Sequence, residues 1–457
     1  MNLADDRMAD NRDLFEQMIR TFESAGLPYC ILAGYDTYPE VIPSDIDFMV
    51  HPDWMHRLPT IIAALAAGSG SHLIQSIRHE TTATYFVLAR RRGASLIYLH
   101  PDSSSDYRRR GRRWLRAENV LENRRRHPQG FWIPSAADAF IYYLVKKIDK
   151  GNLNEMQALE LSLRFSEDAK GCSKALHALL PAAEANVVEA AVRTAMPFGS
   201  APWQTVVAGI DRLREALHRH TPRESLRSRF RQTARNVYRV INRFIHPTGL
   251  SIAFMGPDGS GKSAVITEVA KQMAPAFRQV EYRHLKPRAA GKQVQHQPVT
   301  DPHAQPPRGT LGSLAKLVHF WASYWKGTVS WLYPAKICST LVLFDRYFQD
   351  LLADPRRYRY SGSLKPAQWL GRWLPGPDLV FILDAPPEAL QARKQEVPFA
   401  ESARQRGAYL KLACEFRHAS VIDASQPLEQ VVATVLGHIV DHMQRRTARR
   451  LGLSPRK

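Results

Sequence analysis

The chain has 457 residues, of which 44% are hydrophobic, and its 63 lysines and arginines against 43 acidic residues give a formal net charge of +20. This length allows two or three domains with their own cores, and the charge predicts contact with anions without indicating which kind. Four scattered cysteines without a CxxC pair argue against a disulfide or zinc framework. Without a secretory signal or an apolar run of about 18 residues, we expect a cytoplasmic protein.

Residues 1–133 show the pattern of a small α/β domain. A helix is predicted over about residues 12–25, and strands are predicted at 29–33, 46–50, 85–88 and 95–99. Asp45 and Asp47 head the second strand. Because side chains alternate along a strand, both carboxylates share one face, as a site for metal ions requires.

The Asp45-Ile46-Asp47 sequence, preceded by Gly34, resembles the nucleotidyltransferase superfold, in which two such carboxylates share Mg²⁺. The resemblance implies that Asp45 and Asp47 bind metal. In two places the chain departs from that family. A tyrosine follows the glycine where the family has a serine, and the strand that would supply a third carboxylate has no acid, with Asp102 just beyond it. We therefore favour a domain retained for binding or scaffolding, with an active transferase as the alternative.

Residues 134–249 are predicted to be mostly helical, with amphipathic helices over Ala136–Lys150 and Leu226–Ile245. The second helix, a basic linker, carries apolar and arginine residues on opposite sides. These are Leu226, Phe230, Val237, Ile241 and Phe244 on one side and Arg227, Arg231, Arg235, Arg239 and Arg243 on the other. His-Pro-Thr-Gly at 246–249 ends the helix and predicts a domain boundary.

The arginine-rich stretches are compatible with several kinds of binding partner. A solvated basic face is the simplest interpretation. The helix 226–245 is also suited to an anionic membrane surface or an acidic polysaccharide, and the first of these would place the protein at the inner face of the membrane. No recognised nucleic-acid module accompanies the charge, so we expect no specific nucleic-acid partner. A homodimer is left open.

Residues 250–457 alternate strands and helices, the pattern of a parallel sheet with helices on both faces, so the predicted fold class is α/β. Strands are predicted at 251–255, 340–344, 379–383 and near 420–422, and a closing helix is predicted at 428–443. Residues 289–310, rich in Gln, Pro and His, are expected to be loosely structured.

A phosphate-binding loop follows the first of these strands. Residues 256–263, Gly-Pro-Asp-Gly-Ser-Gly-Lys-Ser, fit the P-loop pattern G-x-x-x-x-G-K-[ST], with an apolar strand before them and an amphipathic segment after them. Lys262 can bridge the β- and γ-phosphates of ATP, and Ser263 can ligate Mg²⁺. The residues expected to bind ATP here are Gly256, Asp258, Gly259, Ser260, Gly261, Lys262 and Ser263. Such loops also serve switches, motors and helicases, so the loop alone does not define the reaction.

Residues 250–445 resemble the thymidylate kinase family of nucleoside monophosphate kinases. The match is carried by the P-loop, by Asp345-Arg346-Tyr347, by 377–388 with Arg393, and by Tyr409, 422–424 and the last helix. The resemblance implies an ATP- and Mg²⁺-dependent kinase in which Asp258 faces the acceptor. Lys262, Asp345 and Arg346 are then the expected catalytic residues.

The chemistry of these residue types agrees with that implication. A carboxylate and an arginine at the end of a parallel strand face the crevice where ligands bind in open α/β sheets. Asp345 can hold Mg²⁺ or accept a hydroxyl proton, and Arg346 can clamp a phosphate. Arg393, Arg404 and Arg406 lie in or before a lid-like helix, and we expect them to close over the ATP phosphates.

The identity of the acceptor stays open because the chain departs from the family after Asp-Arg-Tyr. Asp350 replaces a serine, and Asp354-Pro355 replaces an aromatic–amide pair. The first hypothesis is a nucleoside monophosphate acceptor. The second is a sugar hydroxyl of a glycan, for which Asp345 and Asp350 supply proton acceptors, since residues 354–360 resemble proteins of bacterial polysaccharide synthesis. The third is a regulator that binds ATP without catalysis.

Overall fold

The structure is a computed structural model that describes residues 3–194, 198–287, 309–393 and 398–453. Nearly all of the predicted loose stretch 289–310 lies outside the described residues. The described part of the chain divides into two compact units, residues 3–89 with 97–240 and 451–453, and residues 90–96 with 241–450. The further division of the first 249 residues into an α/β domain and a helical region stays a prediction.

The first part of the chain combines a mixed sheet with flanking helices. Its elements are α1 (Leu3–Ser24), β1 (Tyr29–Ala33), β2 (Asp45–Val50), α2 (Leu58–Gly68), β3 (His72–Ile77), β4 (Ala83–Arg92), β5 (Ser95–Ser104), β6 (Tyr107–Arg109), β7 (Arg112–Leu115), α3 (Ala117–Glu122), β8 (Arg125–Arg126) and β9 (Trp132–Ile133). The large sheet has the order β1-β2-β5-β4-β3, in which β2 pairs with β1 antiparallel and with β5 parallel. The core beneath it includes Phe15, Phe22 and Phe48.

Seven helices follow in the described residues. They are α4 (Ala136–Lys150), α5 (Glu155–Glu167), α6 (Ala169–Leu179), α7 (Ala182–Val192), α8 (Ala201–Ala208), α9 (Ile210–His220) and α10 (Leu226–Ile245). Helix α4 has the predicted limits because it carries both end signals. The Ser135 hydroxyl accepts the N–H of Asp138, and Gly151 ends the helix in the left-handed conformation. Helix α10 also has the predicted limits, yet none of its residues is buried.

The rest of the chain is a layered α/β structure. Its elements are β10 (Leu250–Met255), α11 (Lys262–Met273), β11 (Gln279–His284), α12 (Thr310–Gly327), α13 (Tyr333–Ile337), β12 (Thr340–Asp345), α14 (Asp350–Ala353), α15 (Lys365–Arg372), β13 (Leu379–Asp384), α16 (Pro387–Arg393), α17 (Phe399–Ala413), β14 (Ala419–Asp423) and α18 (Leu428–Arg450). The five strands run parallel in the order β11-β12-β10-β13-β14. Helices lie on both sides of the sheet, so the predicted α/β class is confirmed.

The strand order decides where the functional residues meet. Every residue of β10 and β12 is buried, as expected for neighbouring central strands of a covered parallel sheet. Their register places Phe254 opposite Asp345. Since parallel strands end at the same edge of the sheet, the loop after β10 and the residues after β12 emerge side by side.

Candidate active site

The loop between β10 and α11 has a backbone that requires glycine. Gly256, Gly259 and Gly261 have φ values of 145°, 83° and 82°, in the region that residues with a Cβ atom avoid. A Cβ atom at Gly256 would also lie 2.5 Å from the carbonyl oxygen of Leu383, at the end of β13. Lys262 begins α11 directly after this turn, so the positive end of the helix points at the loop. This arrangement can receive a phosphate.

The Lys262 side chain bonds back to the backbone of the loop. Its ammonium group donates to the carbonyl oxygens of Gly256 and Pro257, at 3.0 and 2.8 Å, and its side chain is buried. Burial and the neighbouring charge of Arg346 lower the lysine pKa to about 8, against the opposing effect of Asp258. A buried cation that is poorly compensated by the protein is well placed to gain a phosphate partner.

Arg346 links the loop to the end of β12. Its N–H donates to the carbonyl oxygen of Phe254 at 2.9 Å, and its guanidinium group bonds to Asp258 of the loop and to Asp350, the latter at 3.2 Å. Arg357 bonds to Asp258 as well. Burial opposes ionisation of Asp258, but the charges of Arg346, Lys262 and Arg357 outweigh it and hold its pKa well below the usual range. The structure therefore brings the predicted residues of the loop and of β12 together.

Asp350 is enclosed rather than open to a substrate. It is fully buried, and one carboxylate oxygen accepts the hydroxyl of Tyr409 at 2.7 Å while the other accepts the hydroxyl of Tyr358 at 2.8 Å. Arg346 adds a charged donor. The sequence suggested Asp350 as a proton acceptor for a hydroxyl substrate, but this arrangement makes it a positioning residue. Sequence reasoning missed this role because Tyr409 is distant from Asp350 along the chain and Tyr358 lies in an arginine-rich segment.

Asp345, at the end of β12, has one oxygen in use and one free. Its Oδ2 atom accepts the hydroxyl of Tyr282 at 3.1 Å, whereas its buried Oδ1 atom has no hydrogen-bond partner in the described part of the chain. An unpaired buried carboxylate oxygen is costly, so it suits a metal-bound water, a metal ion or a proton. Tyr282 was missed because β11, an edge strand of charged and polar residues, was not predicted.

The three arginines predicted to form a lid contact other parts of the protein. Arg393 donates to the carbonyl oxygen of Ala424 at 2.9 Å, and Arg406 bonds to Asp384 at 2.7 Å. Arg404 bonds to Glu401 and to a backbone oxygen of α14. These contacts do not involve the phosphate loop, and ATP binding by these arginines stays a prediction.

Metal binding at this site would need ligands from the substrate. Ser263, the second residue of α11, is exposed beside the loop. Across the described ranges, no cluster of three His, Cys, Asp or Glu side chains is arranged to hold a metal ion. Mg²⁺ in proteins commonly takes one or two protein ligands and completes its shell with phosphate oxygens and water. Ser263 and the free oxygen of Asp345 fit that pattern.

The carboxylates at the start of β2 are bonded to basic side chains of the protein. Asp45 lies 3.0 Å from His100 Nδ1, and Asp47 accepts a bond from Lys146 at 2.6 Å. The expectation that the neighbouring strand supplies no acid was wrong. Strand β5 continues through its proline to Ser104, because its parallel pairing with β2 persists there and places Asp102 opposite Asp47. Metal binding by Asp45 and Asp47, and the nucleotidyltransferase-like assignment, stay predictions.

Asp102 should make stability depend on pH. Burial and the charge of Asp47 raise its pKa from 3.8 to about 7. The folded chain therefore binds more protons than the unfolded chain between these values, and stability falls as pH rises through that window. We expect Asp102→Asn to stabilise the first unit by about 1–2 kcal/mol above pH 7, a figure reduced because the side chain is partly exposed. The gain should shrink towards pH 4.

Thermal unfolding at about pH 4.5 and about pH 8 measures this difference. Asp53→Asn is the matched control, because the Asp53 side chain is 87% exposed. An equal shift in melting temperature for Asp102→Asn at both pH values would contradict the prediction.

Comparison with known proteins identifies relatives for part of the chain. No protein-family model matches it. The thymidylate kinase of Lactobacillus helveticus (strain DPC 4571) is 27% identical over 203 residues, which cover 41% of this chain and 94% of that protein. The thymidylate kinase of Lactobacillus acidophilus is 27% identical over 202 residues, 41% of this chain and 92% of the relative. A probable thymidylate kinase of Methanosarcina mazei is 28% identical over 235 residues, 43% of this chain and 98% of the relative.

These similarities cover nearly all of each relative and less than half of this chain. At this level of identity they support a thymidylate-kinase-like P-loop kinase, and thus a nucleotide kinase, without indicating a specific substrate. They provide no information about the part of the chain that lies outside the matched segment.

Proposed function

We propose that residues 250–457 transfer the γ-phosphoryl group of ATP to the phosphate of a nucleoside monophosphate, giving ADP and a nucleoside diphosphate. The observation that carries this proposal is the meeting of Arg346 and Arg357 at Asp258 of the phosphate loop. Guanidinium groups bind phosphate with paired hydrogen bonds. Two of them beside the donor loop provide the charge that an acceptor phosphate and the moving phosphoryl group require.

The environment of Asp350 supports an acceptor that is already ionised. A phosphate oxygen is nucleophilic without assistance, whereas a hydroxyl group needs a base to take its proton. Each oxygen of Asp350 accepts a tyrosine hydroxyl, so this carboxylate cannot take a proton from a substrate without disturbing a buried hydrogen bond. The cluster instead holds Arg346 in place.

ATP and Mg²⁺ are the cofactors that this proposal requires. Lys262 and the backbone of the loop would bind the β- and γ-phosphates, and Ser263 with Asp345 would hold the metal ion. The unpaired Oδ1 atom of Asp345 supports this assignment. When bound, Mg²⁺ supplies positive charge next to the phosphates and so favours the transfer.

A second candidate function is transfer to a sugar hydroxyl of a glycan or its precursor. The same free oxygen of Asp345 favours it, since a buried carboxylate oxygen without a partner can accept the proton of a hydroxyl group. The two candidates therefore differ in whether Asp345 acts as a metal ligand or as a base.

An acceptor panel tests the proposal. The purified protein is incubated with ATP, Mg²⁺ and each nucleoside monophosphate or a set of sugar acceptors, and the products are separated by ion exchange. We expect a nucleoside diphosphate to form. Phosphorylation of sugars alone would support the second candidate, and ATP binding without turnover with any acceptor would indicate a regulator. Either outcome would contradict the proposed reaction.

A further inference from the structure

Helix α10, which was introduced above as Leu226–Ile245, exposes its apolar side. Leu226 and Phe230 are 79% and 78% exposed, and Val237, Ile241 and Phe244 are each more than half exposed. At 100° per residue these five side chains fall on one stripe of the helix. Large apolar side chains rarely form a continuous exposed stripe on a soluble surface, and where they do they mark a contact site.

The helix contacts the protein through its polar side. Arg239 donates to backbone oxygens of Arg78 and His79, and Arg243 donates to the backbone oxygen of Ile337 at 2.8 Å. These arginines lie roughly opposite the apolar stripe on the helix. A core-packed amphipathic helix has the reverse orientation, with its apolar side towards the protein. The apolar stripe of α10 is therefore available to an outside partner.

The charge of the helix limits what that partner can be. Its sequence contains six arginines and no acidic residue. Three of them, Arg227, Arg231 and Arg235, are exposed. At 100° per residue Arg227 and Arg231 lie nearer the apolar stripe, whereas Arg235 lies almost opposite it. A second copy of the helix would double the positive charge at the contact, which disfavours self-association. Nucleic acid would satisfy the arginines and leave the apolar stripe in water.

We propose that α10 binds to the surface of a membrane that contains anionic lipids. The stripe would enter the boundary between headgroups and acyl chains, and the flanking arginines would contact lipid phosphates. The helix would lie flat, because none of the helices in the described part of the chain has the length and apolarity to cross a bilayer. This inference does not depend on the proposed reaction.

Flotation of the full chain with vesicles tests the proposal. We expect binding to phosphatidylcholine vesicles that contain about one third phosphatidylglycerol, and much weaker binding to pure phosphatidylcholine. Phe230→Gln combined with Val237→Gln should lower the affinity about a hundredfold, because it removes two side chains from the centre of the stripe. Arg227→Gln combined with Arg231→Gln, which removes the two arginines nearer the stripe, should lower it roughly twentyfold.

The matched control is Trp369→Gln combined with Trp373→Gln. Trp369 on α15 and Trp373 directly after it are 60% and 63% exposed, so the double variant removes exposed apolar surface elsewhere on the chain. It should bind vesicles like the wild type. Because the replaced residues of α10 are exposed, all variants should keep the wild-type melting temperature.

Three results would overturn the proposal. The first is no binding to anionic vesicles. The second is equal binding by the wild type and the Phe230/Val237 variant, which would mean that the overall charge of +20 suffices. The third is a dimer in sedimentation equilibrium that the Phe230/Val237 variant abolishes, which would identify a second copy of the chain as the partner of the stripe.

Discussion

Replacement of Arg346 by methionine is expected to lower kcat by about a thousandfold, because in the proposed reaction its charge lies beside the transferring phosphoryl group. Arg346 is 4% exposed and connects Asp258 of the loop with Asp350. Removing one partner of a buried ion pair also leaves the other charge uncompensated. We therefore expect a loss of about 3–5 kcal/mol in the stability of the second unit.

A second substitution separates these two effects. In the double variant Arg346→Met with Asp350→Asn, the buried charge of Asp350 is gone, so part of the lost stability should return while kcat stays low. Arg372→Met, at an exposed position on α15, is the matched control for the loss of an arginine. Steady-state kinetics and thermal unfolding give both readouts. Wild-type kcat in the single variant would contradict the assigned role of Arg346.

Replacement of Lys262 by methionine is expected to lower kcat by about a hundredfold to a thousandfold and to weaken ATP binding, with no loss of stability. The expectation that stability is not lost follows from the environment of the ammonium group. Burial and the charge of Arg346 lower its pKa to about 8, so the folded protein holds this cation at a cost. Removing it should leave the melting temperature unchanged or higher.

Calorimetric titration with Mg²⁺ and ATP, together with kinetics, measures the effect of Lys262→Met. Lys271→Met is the control on the same helix α11, because that side chain is 73% exposed and pairs only loosely with Glu268. It should bind ATP like the wild type. If Lys262→Met kept both ATP affinity and turnover, the assignment of residues 256–263 as the donor site would fail.

The sequence predicted those helices and strands that are marked by patterns among neighbouring residues. Strand β10, its loop and α11 were found because a buried apolar strand, a glycine pattern and an amphipathic segment follow one another. Helix α4 was predicted from its amphipathic pattern, and in the structure Ser135 and Gly151 end it at the predicted limits. Helix α18 was predicted to end at residue 443 but continues to Arg450. Its last turns are rich in arginine and lack the apolar pattern from which the helix was predicted.

Contacts between distant residues were beyond such reasoning. No local pattern indicates that Tyr409 bonds to Asp350, because that contact depends on how α14 and α17 pack. The bond from Tyr358 depends on the turn that follows α14. Helical periodicity predicted the two sides of α10 but not which side meets the protein. Strand β11 was missed because the edge position allows it to carry charged residues that in isolation are typical of loops.

The bond between Tyr409 and Asp350 limits how the site can open and close. Tyr409 lies in the second half of α17 and is 1% exposed, and the same helix is attached to Ala353 and Asp384 through Arg404 and Arg406. A swing of the whole helix would strip a buried carboxylate of its hydrogen bond. A ligand that enters or leaves while this bond is kept would therefore have to do so with the Tyr409 end of α17 in place.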